Sequence, residues 1–383
     1  MTITSGVLAG TIVDLYSGCG GFSLGAELAG FRSLAAIDIE PTLQSAYRRN
    51  FRHSKAVQAD VSEIEASNWR HLIGSERPDG VIGGPPCQGF SWIGKRQNDD
   101  ARNGLVHQFF RHVALLQPKF FIMENVEGLL HPDKVGVLNA ALEAVSGRYT
   151  VLSPFVVNAA DFGAATSRRR VVVVGYDPAE IGALEEADFR PTPPARLTTV
   201  HDAISDLPSP VPEMADRTDL GWAKYPLIPL KRLTAYAQRM RTAPPPGIGS
   251  SEAIERHLAG MVSGAVRTRH SPEIARRYAL VAGGKCDPIT KSYKLEWDGQ
   301  SPTLRAGTGA ERGAFQAVRP LHPAKGRVIT VREAARLQGF PDWFTFHPTK
   351  WHSFRMIGNS VSPLVSAGLL GRIASRLNLE LAA

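Results

Sequence analysis

The chain has 383 residues, 43% of them hydrophobic, with 44 Lys/Arg against 36 Asp/Glu for a formal net charge of +8. Apolar residues are too frequent for a disordered chain, and no run approaches the roughly 18 residues of a membrane-spanning helix. Met1 to Gly10 lacks the basic start and long apolar stretch of a secretory signal. The three cysteines, Cys19, Cys87 and Cys286, are too few for a disulfide framework, and their spacing fits no zinc site. A reducing, cytoplasmic setting without a metal is expected. The charge is uneven: residues 1–188 carry 17 Lys/Arg and 21 Asp/Glu, a balance of −4, residues 189–325 carry 20 and 12, or +8, and residues 326–383 carry 7 and 3, or +4. Alone, that excess fits a solvated basic surface as well as a polyanion-binding module.

In chain order, the first half alternates short apolar runs with amphipathic stretches, the pattern of βαβ units on a parallel sheet. Strands are expected at Thr11–Leu15, up to Ile37, at Ala56–Gln58, Gly80–Gly83 and Phe120–Met123. Helices are expected at Phe22–Ala29, Pro41–Asn50, Leu105–Leu116 and Val135–Val145. Val151–Val157 and Val171–Val174 read as a hairpin that completes the sheet. From Arg190 to Pro212 prolines accumulate, and Pro244-Pro245-Pro246 follows, a density that regular strands do not tolerate. A boundary is therefore expected near 189, then an irregular region with short elements such as Ser271–Val281. Helical signal returns at Thr330–Gln338, where Thr330 and Glu333 make a capping-box pattern, and again at Pro363–Leu377.

Several motifs sit at the expected carboxyl ends of strands, where open α/β sheets bind ligands. Asp14-Leu15-Tyr16-Ser17-Gly18-Cys19-Gly20-Gly21-Phe22 is a glycine turn between first strand and first helix. It lacks the third glycine of the pyrophosphate fingerprint, because Ser23 stands there, so a smaller nucleoside fits better than a dinucleotide. Asp38 and Asp60 close the next two strands, and Asp38 is placed to accept from ribose hydroxyls. Acids at strand ends are also common caps. Gly83-Gly84-Pro85-Pro86-Cys87-Gln88-Gly89-Phe90-Ser91 sets Cys87 on a rigid turn, which is not a core position, although a lone cysteine is often structural. The polar stretch Gln88–Gly104 that follows, with Lys95, Arg96 and Arg102, reads as a basic lid. Glu124 ends an apolar strand where it could serve as a proton donor near Cys87, or as a helix cap with Asn125. In Thr166-Ser167-Arg168-Arg169-Arg170, alternation points Arg168 and Arg170 to one side and Arg169 to the other. Two guanidiniums on one side suit phosphate or base oxygens.

In order and spacing these residues resemble the DNA (cytosine-5) methyltransferases that use S-adenosylmethionine. Thr330-Val331-Arg332-Glu333-Ala334-Ala335-Arg336-Leu337-Gln338-Gly339-Phe340-Pro341 and Gly358-Asn359-Ser360-Val361 extend the resemblance over nearly the whole chain. It implies an α/β fold: a Rossmann-like methyltransferase sheet with helices on both faces, plus a smaller irregular target-recognition domain. Residues 1–188 and 342–383 would form the catalytic and cofactor-binding part, and 189–341 the target-recognition part, braced by Thr330–Pro341. The resemblance implies that S-adenosylmethionine, which leaves as S-adenosylhomocysteine, is bound by Tyr16, Ser17, Gly18, Cys19, Gly20, Gly21, Asp38, Ile39, Asp60, Val61, Pro86, Leu105, Asn359 and Ser360. Cys87 would be the nucleophile, Glu124 would meet N3 of a flipped-out cytosine and Arg170 its O2, with Arg168 in support. Gln88, Ser91, Lys95 and Arg96 would belong to the loop that closes over duplex DNA. A monomer is implied, associated with the nucleoid, with a cognate restriction endonuclease acting separately.

Two positions depart from the family pattern: Thr166 stands where a Gln is usual, and Asp38 where a Glu is usual. Three other readings remain open at this point. They are an RNA methyltransferase on the same scaffold, a catalytically silent DNA-binding homologue, and a nicotinamide-dependent dehydrogenase, which the missing third glycine disfavours.

Overall fold

The computed structural model describes residues 8–86, 104–192, 194–213, 218–306 and 319–381. Five parallel strands carry its first half: β1 (Gly10–Leu15), β2 (Phe31–Asp38), β3 (Lys55–Gln58), β4 (Gly80–Gly83) and β5 (Phe120–Asn125). Between them run α1 (Gly21–Leu28), α2 (Pro41–Asn50), α3 (Ala66–Ile73) and α4 (Gly104–Leu116), and α5 (Pro132–Leu142) follows β5. The chain then adds β6 (Thr150–Val151), β7 (Phe155–Asn158), β8 (Thr166–Ser167) and β9 (Arg169–Tyr176). The sheet order is β3-β2-β1-β4-β5-β9-β6, with β7 also on β9, and β9 runs antiparallel to β5. The chain steps outward from β1 to β3 and then returns to β4. The crevice at the carboxyl ends of β1 and β4 is thus a switch point, where such sheets bind ligands.

Strand alternation explains why both faces are covered. On β5, Phe120 and Ile122 enter one apolar cluster while Phe121 and Met123 enter another. On β9, Val172 and Val174 part from Val171 and Val173 in the same way. The first cluster holds Phe22 of α1 and Leu364 and Leu370 of α12 (Pro363–Leu381); the second holds Phe109 and Phe110 of α4 and Leu138 of α5. The first cluster also continues without a break into the proline-rich half, through Val200, Ile204, Tyr236, Met240, Ile248 and Trp343.

That half is built of short pieces: α6 (Val200–Ile204), β10 (Ala223–Lys224), α7 (Ala235–Met240), α8 (Ser251–Leu258), β11 (Met261–Val262), α9 (Pro272–Leu280) and β12 (Ser301–Pro302). They gather around α10 (Val331–Gln338), whose eight residues are all buried and whose Thr330 cap forms the expected capping box. Arg336 on this helix is fully buried. It donates from Nε and Nη2 to the two oxygens of Asp342 at 2.5 and 2.7 Å, and from Nη1 to the Ala203 carbonyl at 2.9 Å and Asp206 at 3.1 Å. Arg241 also bonds Asp206, and the Tyr225 hydroxyl donates to Asp342. One turn earlier Arg332 reaches the carbonyls of Ser263, Pro341 and Phe344.

The structure departs from the sequence reading in several places. The strand expected over Val151–Val157 is broken into β6 and β7 at Pro154, which has no N–H to give to a ladder. The helix expected at Val135–Val145 starts earlier, at Pro132, and ends in a 3-10 turn at Glu143–Val145. Besides α6 to α8, α3 and α11 (Lys350–Asn359) carried no clear periodic signal and form nonetheless. No helix among the described residues is long and apolar enough to cross a membrane.

The C-terminal helix closes the sheet because α1 has room for it. A Cβ on Gly25 would lie 2.2 Å from Ser366 Cβ, and Ser366 Oγ donates to the Phe22 carbonyl at 2.6 Å. Gly25→Ala should cost about 1–3 kcal/mol, read as a lower urea midpoint; an unchanged midpoint would show that the α1–α12 contact is looser than this. At the foot of α1, Asp14 is buried and accepts from Ser23 Oγ at 2.6 Å through Oδ2, while Oδ1 has no hydrogen-bond partner. Burial raises this carboxyl to about 7. Below that value it is protonated in the folded chain, and the stability it contributes is complete below the unfolded value near 3.8 and lost as pH rises through about 7. The stability of Asp14→Asn relative to wild type should accordingly grow by about 2–3 kcal/mol between roughly pH 5 and pH 8. Urea titrations at the two pH values check this, and a constant difference would contradict it.

Candidate active site

At the switch point the chain leaves β1 through a sharp turn. Tyr16 takes a left-handed conformation (φ 60°), which a bulky residue holds only when its surroundings impose it. Here its hydroxyl donates to the Leu105 carbonyl at 2.8 Å, tying the turn to the start of α4. The Gly18 amide donates to Asp38 Oδ2 and the Glu40 amide to Oδ1, both at 2.8 Å. Asp38 is thereby locked at the end of β2, and each oxygen keeps a second lone pair for a ligand. Burial raises its carboxyl above the usual range, opposed by those two amides.

These groups line one cavity of about 320 Å³, formed by Asp14, Tyr16–Cys19, Asp38–Glu40, Gly84–Pro86, Glu124–Val126, Arg168, Arg170 and Arg355–Val361, with Phe22 and Leu43, but without Ile357. The Asp38 end and the Glu124 end are thus parts of one space. At the latter, Arg170 Nε stands 3.0 Å from Glu124 Oε1. The contact is an ion pair not aligned as a hydrogen bond, so Oε1 is buried without a donor. Asn125 supports the turn before Cys87: its Nδ2 donates to the Pro85 carbonyl at 3.3 Å.

The three arginines divide as alternation predicts. Arg168 and Arg170 line the cavity, while Arg169 points away and pairs with Glu127 at 2.8 Å. Arg168 and Arg170 nevertheless differ. Arg168 is buried, and its Nη1 donates to the Gly358 carbonyl at 3.0 Å and reaches the Leu304 carbonyl at 3.5 Å. Burial, then the neighbouring Arg170 charge, pulls its guanidinium down to about 9. It braces the cavity wall. Thr166 also turns inward: Oγ1 donates to the Ser301 carbonyl at 3.0 Å, and β8 pairs with β12 in parallel. The segment after β12 passes so close to α11 that a Cβ on Gly358 would lie 2.5 Å from the Ala306 amide nitrogen.

Of the residues expected at the site, Tyr16, Ser17, Gly18, Cys19, Asp38, Ile39, Pro86, Glu124, Arg168, Arg170, Asn359 and Ser360 line this cavity. Gly20, Gly21, Asp60, Val61 and Leu105 do not. Gly20 and Gly21 start α1, a Cβ on Gly21 would lie 1.9 Å from Ser360 Oγ, and Leu105 meets the Tyr16 hydroxyl. Asp60 Oδ1 accepts from Ser62 N at 2.8 Å and Ser62 Oγ at 2.7 Å, capping the short turn Val61–Glu63. Cys87, Gln88, Ser91, Lys95 and Arg96 lie outside the described residues. Asp14, Glu40, Arg355 and Met356 join the lining without having been singled out. Asp14 opens the glycine turn, which was a signal for it, whereas Arg355 sits on a helix that periodicity did not reveal.

Many of the cations beyond residue 188 are paired with acids of the same half and so are not the ones that make up its positive excess. Arg196 pairs with Asp202, Arg241 with Asp206, Arg256 with Glu252, Arg277 with Asp287, Arg327 with Glu333, and Arg336 with Asp206 and Asp342. Lys285, Lys291 and Arg305 are among the cations left exposed.

Comparison with known proteins agrees with this geometry. The family model described as C-5 cytosine-specific DNA methylase matches residues 10–375. The chain is 42% identical to the Type II methyltransferase M.XorII of Xanthomonas oryzae pv. oryzae over 371 residues, covering 95% of this chain and 84% of that one. It is 32% identical to the Type II methyltransferase M1.HphI of Haemophilus parahaemolyticus, covering 94% and 85%. A crystal structure described as a DNA modification methyltransferase encoded within an E. coli prophage superposes with a TM-score of 0.85 at 39% identity, covering 96% of this chain and 99% of that one. The S. pombe Dnmt2 methyltransferase shares the fold, with a TM-score of 0.57 at 17% identity, covering 97% of this chain and 99% of that one. The chain belongs to the C-5 cytosine-specific DNA methylase family.

Proposed function

We propose that the protein transfers a methyl group from S-adenosylmethionine to C5 of a flipped-out cytosine within a specific sequence of duplex DNA, through a covalent bond between Cys87 and C6. The observation that carries this reading is the single cavity that joins the Asp38 end to the Glu124–Arg170 pair. Its lining suits such a cofactor. Asp14 Oδ1 is a buried acceptor without a donor, which a ligand ammonium can satisfy, and Asp38 keeps lone pairs for ribose hydroxyls. When bound, the cofactor supplies an electrophilic methyl on a sulfonium.

The remaining chemistry belongs to the chain. Cytosine C5 is a poor nucleophile until C6 is attacked, and C6 is inaccessible within a stacked duplex, so the base must leave the helix. Cys87 follows directly on Pro86 of the cavity wall. A free thiol titrates near about 8.5, and it is the thiolate that attacks. Attack by Cys87 at C6 moves electrons toward N3 and makes C5 enamine-like. Glu124 donates a proton to N3 and so stabilises that charge. Arg170 meets O2 and keeps Glu124 oriented, and Arg168 holds the wall behind them. Once C5 carries the methyl, a base removes its proton and the Cys87 thiolate is expelled. In this reading residues 189–341 recognise the target sequence, and the loop that begins at Gln88 closes over the flipped base.

Bisulfite sequencing of DNA from cells expressing the protein should reveal methylated cytosines at one sequence. In vitro, Cys87→Ser should abolish transfer of labelled methyl to duplex DNA, and Glu124→Gln should slow it by about 10²–10⁴-fold. Wild-type rates in Cys87→Ser, or preference for transfer RNA in a side-by-side assay, would overturn the reading. The exposed cations beyond residue 188 should act on phosphates. Replacing Lys285 and Lys291 together with Ala should flatten the dependence of log affinity on log salt by about 0.9 for each phosphate that is no longer neutralised, with cofactor affinity unchanged. An equal fall in both affinities would refute that division of labour.

A further inference from the structure

Behind the Asp60 turn lies a buried polar cluster that the chemistry above does not use. We infer that Arg111 and His112 of α4, together with Trp69 of α3, form a brace that positions Asp60 and Val61 against the adenine end of the cofactor. The inference rests on the cofactor reading proposed above.

Apart from the Asp60 cap, the turn has few bonds of its own. Its own backbone bonds are Glu63 N to Asp60 O at 3.1 Å and Ile64 N to Val61 O at 3.4 Å, the latter long. The external bonds are better. His112 is fully buried, and Trp69 nearly so. Trp69 Nε1 lies 3.0 Å from His112 Nδ1. An indole nitrogen can only donate, so Nδ1 accepts, and the imidazole proton sits on Nε2. From there it is donated to the Val61 carbonyl at 2.8 Å. Burial lowers this imidazole to about 4, so the neutral tautomer persists at ordinary pH. Arg111 Nη2 converges on the carbonyls of Ile64, Ser62 and Val61 at 2.8, 3.2 and 3.3 Å. Its other arms are held by Gln108 Oε1 at 2.6 Å and Glu65 Oε1 at 3.2 Å.

Two adjacent residues of one helix thus gather three carbonyls of the turn. The same helix presents, at Leu105, the carbonyl that holds the Tyr16 hydroxyl. Asp60 and Arg111 both act electrostatically on that hydroxyl. One oxygen of Asp60 is taken by Ser62, and the other is left for a donor such as an exocyclic amino group. Helix α4 therefore holds both Tyr16, which lines the cavity, and the Asp60 turn beside it, and the proposed adenine would lie against both. Arg111 and His112 touch neither ligand nor reacting atoms, so their role is positioning.

The test uses the full-length protein and two ligands: S-adenosylhomocysteine, and S-inosylhomocysteine, in which oxygen replaces the 6-amino group. Wild type should prefer the adenosyl ligand in calorimetric titration. His112→Ala should weaken adenosyl binding by about tenfold and leave inosyl binding nearly unchanged, so that the preference disappears. His112→Gln, whose amide can donate at the Nε2 position, should restore it, and kcat at saturating cofactor and DNA should stay within about twofold of wild type. Trp69→Phe, which keeps the ring but frees the tautomer, should give a smaller loss of the same kind should His112→Ala fail to fold. Undiminished preference in His112→Ala, or equal losses for both ligands, would overturn the brace. Failure of the wild type to bind S-adenosylhomocysteine would instead overturn the cofactor reading on which it rests.

Discussion

The constraint on which the second half of the chain depends is the burial of the Arg336 charge. Desolvation works against a guanidinium with no solvent contact, yet Asp342 and Asp206 outweigh it and hold Arg336 protonated. Such a group persists only if every donor finds an acceptor, and Arg336 finds them on separate stretches of chain: Ala203 and Asp206, Asp342, and, through those acids, Arg241 and Tyr225. The short elements between 200 and 262 have no room for cores of their own. Several are tied to α10 directly: α6 through the Ala203 carbonyl, α7 through the Tyr236 hydroxyl, and the residue after β11, Ser263, through Arg332. Removing one acid would leave a buried charge uncompensated, at about 3–5 kcal/mol, which exceeds what any of these small helices gains by itself.

The same physics shows which parts were legible in the sequence. Most of the parallel strands are apolar runs that lead into a glycine turn or an acid, as β1 does at Gly18, β2 at Asp38, β4 at Gly83 and β5 at Glu124, and those endings are local signals. The glycine turn, Asp38, Glu124 and Arg170 could therefore be placed at one sheet edge before any contact was known, and they line one cavity. Helix α11 was not legible, because Lys350–Asn359 includes His, Ser, Asn and Gly. It is stabilised by the burial of Phe354, Met356 and Ile357 rather than by propensity. Arg355, which lines the cavity and bonds Glu40 at 2.8 Å, was hidden with it. The meaning of the basic excess was hidden for a different reason. Asp206 and Arg336 stand 130 positions apart, and a count of charges cannot tell an internal pair from a cation awaiting phosphate.

Arg168 and Arg170 show how burial separates two like residues on one side of a strand. Arg170 keeps enough exposure to face a ligand and is oriented by Glu124. Arg168 is enclosed and gives its protons to backbone carbonyls. A guanidinium used in this way is a structural bolt, its Nη1 drawing the Gly358 and Leu304 carbonyls together.

That bolt also accounts for the departure at Thr166. A shorter side chain with a hydroxyl can turn inward and bond the Ser301 carbonyl, which lets β12 lie beside β8 in parallel register. The chain that leaves β12 is then carried past Arg168 to Gly358, where the absence of a Cβ permits direct backbone contact with Ala306. Gly358 precedes Asn359 and Ser360 of the cavity wall. A displacement of residues 304–306 must therefore move the Leu304 carbonyl, Arg168 or Gly358, each of which belongs to or touches the wall of the cavity. The two halves thus meet through the Arg168 bonds and the close approach at Gly358, and Thr166 holds β12 where both are made.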